Sequence, residues 1–284
     1  MLHIIDTFSG IHTLYDQGKF NPERWAHYIN SVYAESAPLF WRDLDDYFHN
    51  GDMSFEKDFL PLIDAVPTHP ALNELHESFL WVTNGLQEKI QTCFGNSLDA
   101  DIVLYLGLCN AAGWMTTMQG RTAILLGIEK ILELNWQDRD DMIGLIYHEL
   151  GHVYHKQHGS MMHSADNSPQ HFVWQLFQEG VAMHFEQLLV GDSSYYHQNK
   201  DGWLDWCEAY AAQITADFRN DLLTMTRRNQ RWFGDWVSYC GKGDVGYYLG
   251  ARFVQWLRRK YSFDELIRLS MECVYCAFLK FTEL

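Results

Sequence analysis

The chain has 284 residues, 47% of them hydrophobic and 15% aromatic, enough apolar material for a packed core and too much for a disordered chain. Its 37 acidic against 21 basic residues give a formal net charge of −16, which repels a nucleic-acid backbone or an anionic membrane surface. The start, Met1 to Asp6, lacks the basic and apolar stretches of a secretory signal, so a cytoplasmic protein is expected; the longest mostly apolar run, Ile102 to Met115, is too short for the roughly 20 residues that cross a bilayer.

The first hundred residues read as helices. Asn21-Pro22-Glu23 supplies a cap, a first-turn proline and an early acid, predicting a helix over Arg24 to Ala37 that Pro38 ends. Further helices are predicted over Phe55 to Ile63 and Ala71 to Thr92, separated by a turn at Pro67 to Pro70. The texture changes at Leu98, which separates a helical N-terminal region, 1–97, from a second domain, 98–284. Asp101 to Leu108 and Arg121 to Leu126 are short, apolar and rich in branched residues, and read as strands on either side of a Gly113 to Gly120 loop. Helices then return. One spans Trp136 to His158, capped at Asn135 and stopped at Gly159; the next is opened by Ser168 and Pro169 and closed near Gly191. Two more cover Trp203 to Met225 and Val245 to Tyr261, and Ser262-Phe263-Asp264-Glu265 is a capping box for a last one. The expected class is α+β, mostly helical, with a small sheet.

Six cysteines (Cys93, Cys109, Cys207, Cys240, Cys273, Cys276), scattered without a secretion signal, predict reduced thiols. Cys273-Val274-Tyr275-Cys276 has no second pair and reads as buried core near a helix end rather than as a redox or metal motif.

The segment that carries chemistry is His148-Glu149-Leu150-Gly151-His152. Positions i and i+4 of a helix lie about 5–6 Å apart, so His148 and His152 can grip one cation, while Glu149, turned about 100° away, is placed to act as a general base. On the same helix Met142, Ile143, Ile146, Leu150, Val153 and Tyr154 fall on one arc and His148, His152 and His155 on the opposite one, so the helix is anchored behind and polar in front. Gly144 and Gly151 flank the histidine arc. Each glycine lowers helix propensity by about 1 kcal/mol, which calls for a packing or site reason.

A catalytic zinc takes a third protein ligand and keeps one position open. The stronger candidate is Glu179 in Phe177-Gln178-Glu179-Gly180-Val181-Ala182-Met183, an acid set among apolar residues where an unpaired charge is expensive. Trp174, Phe177, Val181, Phe185 and Leu188 form the opposite, core-facing arc of its helix. The second candidate is His158, six positions after His152, the interval used where a glycine turn precedes a third histidine; His155 stands where that glycine belongs. His163, His171 and His184 read as surface or hydrogen-bonded histidines, and Glu186 lies two turns beyond Glu179.

With HELGH at His148 to His152, EGVA at Glu179 to Ala182, GYYLG at Gly246 to Gly250 and the Gly120 to Gly127 stretch, the chain resembles the gluzincins, and among them a largely bacterial family of predicted zinc-dependent proteases. The match covers roughly Leu98 to Leu284. The resemblance implies a zincin-like core with the metal between two helices and an edge strand beside it; on that layout Arg121 to Leu126 aligns an extended peptide by main-chain hydrogen bonds. It also implies that Tyr247 or Tyr248 stabilises the oxyanion, the other reading of both tyrosines being plain packing. Some gluzincins carry an Asp four residues after the ligand Glu to orient a histidine. Here that residue is Met183, and the role is unassigned.

The expected activity is hydrolysis of a peptide or protein substrate at one Zn²⁺ held by His148, His152 and Glu179, with Glu149 as general base. The rivals are a zinc amide or ester hydrolase of other substrates and a catalytically silent zincin-shaped binding or regulatory protein.

Overall fold

The computed structural model describes residues 1–48, 53–161, 168–234 and 237–283. They fall into two compact units, Met1–Glu149 and Leu150–Leu284, and the division runs through the middle of one continuous helix, Arg139–His158. The class is α+β and 58% helical, with a small sheet and many helices. Among the described residues no helix is long and apolar enough to cross a membrane.

The first unit opens on a strand, β1 (His3–Asp6), and a short hairpin, β2 (Tyr15–Asp16) with β3 (Lys19–Phe20), neither of which the helical reading of this region anticipates. Then come α1 (Pro22–Val32) and α2 (Ala37–Phe48). Asn21 caps α1 as expected, its side chain accepting from the N–H groups of Glu23 and Arg24. Pro38, expected to stop a helix, instead sits in the first turn of α2, where its missing N–H leaves no bond unmade. A π turn at Phe55–Phe59 runs into α3 (Leu60–Ala65), followed by α4 (Leu72–Thr83) and α5 (Leu86–Phe94). The single helix expected over Ala71 to Thr92 is broken by Gly85, whose φ of +67° no helix accommodates.

The sheet is completed by β4 (Asp101–Tyr105), β5 (Gly113–Met118) and β6 (Arg121–Gly127), in the order β1-β4-β6-β5. β1, β4 and β6 run parallel, and β5 is antiparallel to β6. Two expectations are corrected. The Gly113 to Gly120 stretch is mostly strand, and Arg121 to Leu126 is an interior strand: Ala123 faces Asp101 on one side and Thr116 on the other. Its main-chain groups are therefore taken, and the edge beside it belongs to β5.

The turn from β4 toward β5 is tied from three sides. Trp25 Nε1 of α1 donates to the Leu106 carbonyl (2.9 Å), Asn110 Nδ2 donates to the Phe40 carbonyl of α2 (3.0 Å), and the N–H groups of Gly107 and Cys109 donate to the two oxygens of Glu129 (2.8 Å each). Glu129 stands on α6 (Ile128–Glu133) and is only 2% exposed; burial pushes its carboxyl up and the two N–H donors oppose that. A Cβ on Gly107 would lie 2.6 Å from Glu129 Oε1, so only glycine lets the loop close on the carboxylate. α7 (Arg139–His158) then passes from this unit into the next.

The second unit holds the rest of α7 with α8 (Pro169–Val190), α9 (Trp203–Ala209), α10 (Ala211–Asp221), α11 (Val245–Leu257), α12 (Phe263–Leu266) and α13 (Met271–Phe281). Ser168 caps α8 by accepting from the His171 N–H, and Gly191 closes it at φ +87°, as the sequence indicates. The expected Trp203 to Met225 helix is split at Tyr210. Ser262 and Glu265 form the reciprocal capping box, on one short turn before α13. Cys273 and Cys276 are exposed on α13 rather than buried.

α8 is buried on almost every side, with Trp174, Phe177, Val181 and Phe185 at 0% exposure; Leu188, assigned to the same arc, is 36% exposed. It meets α11 through glycines: a Cβ on Gly250 would lie 2.5 Å from the Leu176 carbonyl oxygen, and one on Gly180 would collide with the Gly250 carbonyl. Gly180→Ala is expected to lower stability by about 1–3 kcal/mol or more, as overpacking does where backbone cannot yield. A urea midpoint followed by circular dichroism measures it.

His184 of α8 is buried against the Phe263 ring (5.4 Å), and burial, then the Arg258 charge, holds its imidazole down to about 4. Its folded pKa lies below the unfolded value of about 6.5, so the stability it permits is complete above that value and is lost as pH falls from 6.5 toward 4. Between pH 7 and pH 5 the expected loss from this residue is about 2 kcal/mol. His184→Leu should flatten that part of the pH profile of denaturant midpoints, and an unchanged slope would refute the assignment.

Candidate metal centre

The helix that carries HELGH is capped by Asp138, whose Oδ1 accepts from the Asp141 N–H at 2.8 Å; Asn135, expected as the cap, lies outside the helix at φ +56°. The expected polar front is itself covered. His148 is 6% exposed and Glu149 8%, while His152 is half-buried.

Small residues bring the next helix close. A Cβ on Gly151 would lie 2.6 Å from the Ala182 Cα, so α7 and α8 meet backbone to backbone at that point. Ala182 is one turn beyond Glu179, and Gly151 immediately precedes His152. The contact therefore fixes the spacing of the two polar side chains: His152 Nε2 lies 3.2 Å from Glu179 Oε2. Ligating atoms of His148, His152 and Glu179 all lie within 4.8 Å of one another.

That arrangement fits zinc. Ligand atoms about 2.0–2.1 Å from a tetrahedral ion stand about 3.3–3.4 Å apart, close to the 3.2 Å between His152 and Glu179. Two imidazoles and a carboxylate are the donor types zinc takes, and they leave a fourth position open.

The other histidines are engaged elsewhere. The His158 ring packs on Tyr154 at 4.7 Å, and among the described residues no cluster of ligating atoms includes it. His155 is fully buried, its ring 6.0 Å from Trp174 and 5.6 Å from Phe177, and burial pushes its imidazole down to about 3. His171 is half-buried and its ring lies 5.4 Å from that of Phe172, while His163 lies outside the described residues.

Glu149 faces the start of the edge strand. A Cβ on Gly113 would stand 3.4 Å from Glu149 Cγ and 2.7 Å from Leu145 Cδ1, so the missing side chain lets β5 lie against α7 at the carboxylate. Tyr248 is 1% exposed among Tyr196 (6.0 Å) and Trp203 (6.3 Å), and burial pushes its phenol up to about 12. Tyr247 is half-buried with its ring 5.9 Å from Phe233. Both tyrosines thus pack against aromatic rings.

A second cluster shares one member with the first. Ligating atoms of His148, Glu186 and His197 also lie within 4.8 Å of one another. Glu186 is 0% exposed, and His197 Nδ1 lies 2.9 and 3.0 Å from its two oxygens. From the sequence Glu186 is placed only as two turns beyond Glu179, without a role, and His197 is not singled out. The available signal was helical: seven positions after Glu179 returns to the same face of α8. His197 stands between α8 and α9, where no periodicity locates a side chain.

Comparison with known proteins found no matching family model, no matching curated protein and no matching solved structure. The weight of a functional reading rests on the cluster itself.

Replacing His148, His152 or Glu179 by Ala is expected to abolish stoichiometric zinc in the purified protein, whereas His158→Ala keeps it. Elemental analysis reads the outcome, and zinc lost from His158→Ala alone would move the third ligand.

Proposed function

We propose that the protein is a zinc-dependent peptidase of gluzincin type with a zincin-like core. The observation that carries this reading is the convergence of His148, His152 and Glu179 from two helices, with the buried Glu149 next to His148 in sequence. A fold has no need of two imidazoles and two carboxylates at one helix crossing, since each polar group removed from water must be repaid by a partner.

His148, His152 and Glu179 would hold the ion. When bound, zinc polarises a carbonyl and lowers the pKa of a water toward about 7. Glu149 takes the proton from the attacking water and returns it to the leaving amine, so the carboxylate acts first as base and then as acid. Its burial beside β5 keeps bulk solvent from competing for that proton.

A peptide is favoured over other amides by β5. Its partner on one side is β6, and among the described residues no strand pairs with its other side. An extended substrate can bond to that main chain and so be aligned along the helix that bears Glu149. The strand that does this is Gly113–Met118, in place of Arg121 to Leu126.

Glu149→Gln tests the base directly. The variant is expected to retain one zinc per chain and to lose turnover of a mixed peptide library by about 10²–10⁴-fold, the range for removal of a general base. Full turnover in the variant would dismiss Glu149 as the base. Zinc in the wild type without cleavage of any peptide would favour the non-peptide hydrolase or the silent binding protein.

A further inference from the structure

We propose that Glu186 is a positioning residue for the metal centre, the carboxylate that orients the imidazole of His148, with His197 as its second imidazole partner. The inference rests on the zinc reading above and adds to it a role that Met183 cannot fill.

Ligating atoms of His148, Glu186 and His197 lie within 4.8 Å of one another. His148 is the one residue common to the two ligating clusters. An imidazole has two nitrogens directed away from each other, so one ring can serve the ion with one and a carboxylate with the other.

The chemistry of Glu186 also favours this role. At 0% exposure an isolated carboxylate would be strongly unfavourable. It is compensated by His197 Nδ1 at 2.9 and 3.0 Å, and a carboxylate with about four acceptor sites can serve more than one imidazole. A carboxylate behind a ligand histidine fixes its tautomer and ring plane and makes the metal-facing nitrogen more basic.

The test uses the full chain and zinc alone, measured by competition with a chromophoric chelator. Glu186→Gln preserves shape and removes the charge. It is expected to bind one zinc per chain with an affinity lowered about 10–100-fold, as for loss of such a partner, and to shift the visible bands of the Co²⁺-substituted protein. His184→Leu, which removes another buried polar side chain from α8, should change neither. Glu186→Asp, which restores the charge, should recover part of the affinity.

Unchanged zinc affinity in Glu186→Gln overturns this proposal and leaves the zinc site standing. An equal loss in His184→Leu overturns it as well, since the effect would then be general to the helix. Two zinc ions per wild-type chain falling to one in Glu186→Gln would make Glu186 a ligand of its own ion and overturn the orienting role. A wild-type chain that binds no zinc brings down the peptidase reading itself, and this one with it.

Discussion

The centre of the second unit is set by two places where helix backbones touch. Gly151 admits Ala182 and Gly180 admits Gly250, so α8 is held between α7 on one side and α11 on the other. Helix axes ordinarily pack 8–10 Å apart, the distance depending on the side chains between them; with nothing but hydrogen at three of these positions the approach is at the short end. The consequence is chemical. Short carboxylate and imidazole side chains can converge across a crossing only when the axes are close, and His152 and Glu179 do so at 3.2 Å. The pieces HELGH, EGVA and GYYLG each contribute a small residue to these contacts, which gives their glycines and alanine a physical cause apart from any reaction.

The first unit meets a different constraint, that of placing one strand. β5 turns back from β4 through a loop whose main chain is held by Trp25 of α1 and by Glu129, and whose Asn110 side chain donates to α2. Gly113, the first residue of that strand, reaches α7 only because it lacks a side chain. The helices before the sheet thus act on the strand that borders Glu149, through hydrogen bonds to the loop that precedes it. This gives the N-terminal region a mechanical role that no motif in it announces.

What the sequence disclosed follows from which interactions are local. His148, Glu149 and His152 share a helix turn, so their spacing in sequence is their spacing in space. Glu179 was legible for another reason: a charge among apolar residues needs a partner, and the partner could be guessed. Pro38 misled because proline is excluded from helix interiors yet favoured in the first turn, and the sequence alone does not separate an end from a beginning. β5 escaped because Gly113-Trp114-Met115-Thr116-Thr117-Met118 lacks the clean alternation of a half-buried strand. The edge at Arg121 to Leu126 follows instead from the layout that the resemblance implies. His197 was beyond reach, since its position follows from tertiary contacts of the segment after α8, where Gln187 Nε2 donates to the Tyr195 carbonyl and Gln255 Nε2 to that of Ser193.

The two most deeply buried glutamates show how surroundings divide structural from chemical roles. Glu129 is satisfied by main-chain N–H groups of a single loop. Those donors are fixed by the fold, carry no proton to exchange, and make the carboxylate a staple. Glu186 is instead satisfied by an imidazole from a connecting segment and lies within reach of a second one on the helix that bears HELGH. A chain needing only to neutralise a buried acid has main-chain donors or an arginine for the purpose, and either holds its charge or its dipole at every pH. Imidazoles give up a proton near neutrality and offer a lone pair when they do. An imidazole beside a buried carboxylate keeps a second nitrogen for another partner, which a main-chain donor cannot do.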